Sequence, residues 1–153
     1  MARPSPWMAA VGSELRVVTL SKGWGQLQIH PQADQVALIG SSQPHARLSD
    51  GRTVIWSPYL RDSWAGGQRT HVMDAECLEH GLPPFVAARL GGDGPRAVTR
   101  WTQLEVVAKA TGIPVHALLV GRAAEPAVPM TSFFVGDLAV SLAIVPTHAV
   151  PVD

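Results

Sequence analysis

The first third of the chain has the patterns of β-strands, and in residues 26–30 polar and apolar side chains alternate, as they do in a strand that has one solvated face. Residue 15 begins a run rich in β-branched side chains, and a turn signal, Ser49-Asp50-Gly51-Arg52, separates the last two candidates. The candidate strands are 15–20, 26–30, 35–39 and 53–56. The pattern predicts a small antiparallel sheet in residues 1–56, preceded by an arm at 1–12.

The period becomes helical between residues 57 and 122. Short apolar runs, each followed by glycine, predict helices at 58–64, 73–80 and 83–90. A longer apolar face then continues from Trp101 to Gly112, where a left-handed C-terminal glycine ends a helix, with a loop at 93–99 before it. Pro114 restarts a second helix, because a missing N–H costs nothing in a first turn. A helix–turn–helix pair follows from this pattern.

Strand-like residues return after a linker at 121–129, in the segments 132–135 and 138–145. We expect them to join the N-terminal sheet or to pair with a second copy of the chain. The sequence therefore predicts an α+β protein: an N-terminal β region at 1–56, a helical helix–turn–helix region at 57–122, and a linker with C-terminal strands at 123–153.

Three features follow one another in the helical region: a turn at a glycine, an arginine followed by an apolar residue, and two helices separated by a glycine. The matching residues are Gly81, Leu82, Arg89, Leu90, Leu104, Val107, Ala108, Ala110, Gly112, Ile113, Leu118 and Leu119. Residues 72–121 thereby resemble the Cro/repressor-type (XRE-like) helix–turn–helix family. The resemblance implies a transcription regulator of bacterial or phage origin that binds double-stranded DNA as a homodimer.

The resemblance implies that Arg89 ends the recognition helix and approaches a base edge, since a guanidinium can make bidentate contacts in the major groove. The DNA backbone would be held by Arg96, Arg100, Thr102 and Gln103. The recognition helix itself, 83–89, is almost wholly apolar. An alternative function is therefore a non-enzymatic assembly or adaptor protein of phage structural type, which contacts other proteins through Pro83–Val86 and Phe133-Phe134.

Composition narrows the class of protein. With 153 residues, 46% of them hydrophobic and 16% charged, the chain is long enough to bury a core. The formal net charge is zero, whereas proteins that bind nucleic acids usually have an excess of basic residues. A single cysteine, Cys77, excludes an internal disulfide and fits a reducing cytoplasm. The most apolar stretch, 133–152, is interrupted by Asp137 and Pro146, so we expect no membrane span and a cytoplasmic protein.

Enzymatic signatures are missing from the sequence: there is no G-x-S-x-G nucleophile motif and no phosphate-binding P-loop. Four potential zinc ligands recur at every third position: His71, Asp74, Cys77 and His80. Spread over three turns of one helix, they cannot converge on a single ion. The sequence predicts neither an enzyme nor a metal or other cofactor.

Overall fold

A computed structural model describes residues 15–31, 43–58, 69–79 and 81–146 of the chain. Within these residues the protein is α+β, with seven strands in two antiparallel sheets and three α-helices, as predicted. The chain divides into two compact units, Met1–Tyr59 and Leu60–Asp153. The predicted arm at 1–12, strand at 35–39 and helix at 58–64 lie outside the described residues, apart from Pro58.

The first unit contains a four-stranded sheet in the order β1-β2-β4-β3. Its strands are β1 (Arg16–Thr19), β2 (Gln26–His30), β3 (His45–Arg47) and β4 (Thr53–Ser57). Three of them confirm predicted strands, and β3 was not predicted. The predicted turn joins β3 to β4, where the Leu48 N–H donates to the Arg52 carbonyl at 2.8 Å.

The core of the first unit follows from the alternation along β2 and β4. Leu27 lies opposite Trp56 and Ile29 opposite Val54, and all four are buried. The Trp56 indole N–H donates to the Trp24 carbonyl at 2.6 Å, which satisfies the one polar atom of the largest buried side chain.

The second unit combines three helices with a three-stranded sheet of order β5-β7-β6. Val72 and Ala143 of the sheet pack there against Val106 and Ala110. The strands are β5 (Arg69–Cys77), β6 (Thr131–Val135) and β7 (Leu138–Pro146). The helices are α1 (Pro84–Leu90), α2 (Pro95–Thr111) and α3 (Val115–Leu119).

The prediction of a helix at 73–80 was wrong, because residues 69–77 form β5. Its nine residues pair with β7 from Arg69 to Cys77. Met, Ala and Glu favour helix locally, but a nine-residue ladder overrides that preference. Of the two C-terminal strands, β7 pairs with β5 and β6 pairs with β7, so both join the sheet of the second unit, Leu60–Asp153.

The predicted pair of helices around Gly112 is confirmed. Gly112 adopts φ 74°, and its N–H donates to the Ala108 carbonyl at 2.8 Å. Pro114 immediately precedes α3, one position earlier than expected. The prediction of a loop at 93–99 was wrong from Pro95 onward, because α2 begins at Pro95 and its N-cap is Gly94.

Candidate functional site

Three of the predicted DNA-contacting side chains lie together on α2. Arg96, Arg100 and Gln103 are spaced by four and three residues, which brings them to one face of the helix. They line a cavity of about 420 Å³ with Leu90, Ala97 and Thr99. The sequence predicted a loop at 93–99, so Arg96 joins this helix face only because the helix begins at Pro95.

The charge of Arg100 is already paired within the chain. Its Nη1 donates to Oε1 of Glu125 at 3.0 Å, and its Nη2 pairs with Oε2 of the same carboxylate. A DNA phosphate would need the same two guanidinium N–H groups, so it would have to displace the Glu125 carboxylate. Arg96, by contrast, is exposed at the rim of the same cavity.

Thr102 cannot serve as the predicted phosphate contact, because its side chain is fully buried. Its hydroxyl bonds the Thr99 carbonyl and the Ser141 hydroxyl, each at 2.8 Å. Ser141 continues the chain of hydroxyls to Ser132 at 2.8 Å, and Gln103 donates to Ser132 at 3.1 Å. These side chains form a hydrogen-bond network between α2 and the sheet. Thr102 therefore stabilises the fold, and the side-chain amide of Gln103 already uses one of its hydrogen bonds in this network.

Arg89 lies on α1 and is not among the residues that line the cavity, although its neighbour Leu90 is. Its guanidinium carbon is 5.8 Å from the centre of the Phe85 ring, a cation–π contact. The same ring stacks on the His116 imidazole of α3, with centroids 5.7 Å apart and planes inclined by 17°. Pro83 and Pro84 are exposed beside them. We call these five residues the Phe85 surface.

The arrangement of helices differs from the expected DNA-binding head. In the Cro-like motif a scaffold helix precedes the recognition helix, but residues 72–77 are part of β5. Only the part of the motif from α1 to α3 is helical. The helix that would enter the groove, α1, has seven residues and exposes Phe85 together with Arg89.

A charged cluster between β5 and α2 was missed in the sequence. Lys109 donates to the Asp74 carboxylate at 3.1 Å, and burial raises the pKa of Asp74 to about 7, against the attraction of Lys109. Glu105 and Glu76 raise this pKa further, and burial raises the pKa of Glu105 as well. A period-2 reading of residues 72–77 would have placed Asp74 and Glu76 on one face.

The candidate zinc ligands do not come together. On a strand, successive side chains point to opposite faces, so His71 and Cys77 share one face and Asp74 lies on the other. His80 lies outside the described residues. Within the residues that the structure describes, no group of three or more His, Cys, Asp or Glu side chains is arranged to hold a metal ion.

Comparison of the chain with protein families, with curated proteins and with solved structures found no match. Among the described helices, none is long and apolar enough to cross a membrane.

Proposed function

We propose that this chain is a non-enzymatic assembly or adaptor protein of the cytoplasm that binds another protein through the Phe85 surface. One observation carries the proposal: Phe85 is 51% exposed, and its ring contacts both Arg89 and His116. The ring is exposed to solvent, but its neighbours hold it in place. Such a side chain loses little conformational entropy when it binds a partner. Aromatic and Arg side chains are also the types enriched at the energetic centres of interfaces.

The chemistry of α1 favours a protein partner over DNA. Its first residues, with Pro83 before them, offer rings and aliphatic carbon where base-edge recognition needs hydrogen-bond donors and acceptors. Arg89, the one candidate for base contact, is engaged with the Phe85 ring. A partner that buries this ring would keep the cation–π contact and remove apolar area from water.

Parallel affinity purifications test the proposal, with the tagged parent chain and two variants, Phe85→Ser and Val17→Ser. Val17 is a matched control, because it is 53% exposed and lies in the other unit. A recovered protein is then purified and titrated against each chain by calorimetry. We expect binding to be weakened at least tenfold by Phe85→Ser and to be unchanged by Val17→Ser. Binding that is indifferent to Phe85→Ser would refute the proposed surface.

A second candidate function, a DNA-binding regulator, is favoured by the position of Arg96, Arg100 and Gln103 around one cavity. Contacts of this kind would hold phosphates, with little sequence preference and a steep dependence on salt. Fluorescence anisotropy with duplex DNA at low salt tests it, and Arg96→Ala with Arg100→Ala should abolish the signal. If the purified parent chain gives no anisotropy change at low salt, this candidate is excluded.

A further inference from the structure

The two edges of the sheet in the second unit are different. On the outer edge of β5, Lys109 donates to the Met73 carbonyl at 2.9 Å, and the Glu76 carboxylate accepts the Cys77 N–H at 2.8 Å. Charged side chains thus occupy backbone groups of this edge, which is a way in which proteins prevent another strand from adding.

Among the described residues, no charged side chain occupies the backbone groups on the outer edge of β6. In an antiparallel ladder, alternate residues bond to alternate neighbours. The Leu78 N–H donates to the Asp137 carbonyl at 2.8 Å, so the odd-numbered residues of β7 bond to β5 and the even-numbered ones to β6. The even-numbered residues pair with Thr131, Phe133 and Val135. The backbone groups of Ser132 and Phe134 therefore point away from β7, and no described strand pairs with them.

The side chains of β6 leave this edge open to a further strand. The strand reads Thr-Ser-Phe-Phe-Val, with neither a charge nor a proline, and its pairing with β7 is continuous. Phe134 is 56% exposed. An uncharged and unbulged edge of this kind is a ready template for strand addition.

We propose that two copies of the chain pair their β6 strands antiparallel about a two-fold axis at Phe133, which joins their three-stranded sheets into one of six strands. This inference rests on the proposed assembly role and names a second copy as the occupant of β6. In this register Ser132 of each copy lies opposite Phe134 of the other. Because both residues direct their backbone groups outward, they form the hydrogen-bonded pairs, and the two Phe133 residues form the closer, non-bonded pair.

A second copy fits this edge because the strand is complementary to itself. The two-fold operation sets serine against phenylalanine and phenylalanine against phenylalanine, and it opposes no like charges. The chain has 12 basic and 12 acidic residues, so two copies carry no net charge that would separate them.

Sedimentation velocity over a range of concentrations tests the proposal with the full chain. We expect the parent to approach double the chain mass of 16.3 kDa. Phe134→Lys should weaken association at least tenfold, and Phe134→Pro should do the same, since it removes an outward N–H and no bond to β7. Phe85→Lys is the matched control, with a ring of similar exposure, and should leave association unchanged. Circular dichroism confirms that each variant is folded.

Cysteine cross-linking tests the register. Phe133→Cys should form an intermolecular disulfide under mild oxidation, because a non-bonded antiparallel pair brings the Cα atoms to about 4.5 Å. Phe134→Cys should not, since it faces Ser132, and the native Cys77 is buried. A parent that is monomeric at every concentration overturns the inference, as does a dimer unaffected by Phe134→Lys and Phe134→Pro. If the dimer forms but no partner protein binds through Phe85, only the proposed function is refuted.

Discussion

Lys109 of α2 reaches the edge of β5 and donates to the carboxylate of Asp74 at 3.1 Å. The same ammonium group bonds the Met73 carbonyl at 2.9 Å, so one side chain fastens the helix to the strand twice. Asp74 has only 13% of its side chain exposed, and Glu105 and Glu76 add to the negative charge around it. The cluster has three carboxyl groups for one cation, which makes its contribution to stability depend on pH.

The contribution of Asp74 to the stability of the folded state should fall as the pH rises from about 4 to about 7. Burial raises the pKa of Asp74 to about 7 from its ordinary 3.8, so in this window the folded state keeps a proton that the unfolded chain releases. Asp74→Asn cannot ionise. Its free energy of unfolding, relative to that of the parent, should therefore increase by up to roughly 4 kcal/mol between pH 4 and pH 8. Urea denaturation at a series of pH values measures this difference.

The difference between variant and parent isolates Asp74 from two other groups that titrate in both proteins. Burial lowers the pKa of His71, so His71 stabilises the fold as the pH rises toward neutrality. Burial raises the pKa of Glu105, which acts in the opposite direction. A pH-independent difference between Asp74→Asn and the parent would show that Asp74 titrates normally.

Lys109→Met should destabilise the fold more at pH 8 than at pH 5. At the higher pH Asp74 is ionised and loses its cation, and at either pH the Met73 carbonyl loses a hydrogen bond. We expect a loss of about 2 kcal/mol at pH 8 and about 1 kcal/mol at pH 5, because solvent screens the Lys109 ammonium group, whose side chain is 40% exposed. Arg122→Met removes an exposed cation and should change stability by less than about 0.5 kcal/mol at both values. Equal losses for Lys109→Met at the two pH values would contradict this account.

Short-range signals in the sequence were sufficient where a residue type is tied to a backbone conformation. Gly112 and the turn at Ser49–Arg52 are examples, and α1 and α3 could be predicted from their apolar spacing. The failures have long-range causes. Residues 69–77 are a strand because of β7, more than sixty positions later, and Thr102 is buried because Ser141 meets it across the helix–sheet interface. Neither partner can be identified from the local pattern.

The buried hydroxyl of Thr102 should contribute to stability through Ser141. Thr102→Val leaves the Ser141 hydroxyl short of one partner and should cost about 1–2 kcal/mol. Thr99→Val is a matched control on the same helix, since the buried Thr99 Oγ1 has no hydrogen-bond partner among the described residues. That substitution should be neutral or stabilising. Denaturation of both variants checks the pair of expectations.

A double-mutant cycle tests the Thr102 network further. Thr102→Val and Ser141→Ala remove the two ends of one hydrogen bond, so their combined cost should be smaller than the sum of the single costs by about 0.5–1 kcal/mol. Strict additivity would mean that the 2.8 Å contact contributes nothing to folding.

The two ends of α2 should respond in opposite ways to substitution of glycine. At Gly112, φ is 74°, a conformation that costs a residue with a Cβ about 1 kcal/mol, so Gly112→Ala should be destabilising by that amount. Gly112→Asn should cost less, because asparagine tolerates the left-handed region.

Gly94 has φ −73° and makes no side-chain cap, and a Cβ there meets open space. Gly94→Ser supplies an oxygen for the free N–H groups of the first turn and should stabilise the protein by a few tenths of a kcal/mol. The midpoint of thermal denaturation should therefore be highest for Gly94→Ser, followed by the parent, then Gly112→Asn, and lowest for Gly112→Ala. If Gly112→Ala were as stable as the parent, that result would contradict the left-handed conformation at the C-terminus of α2.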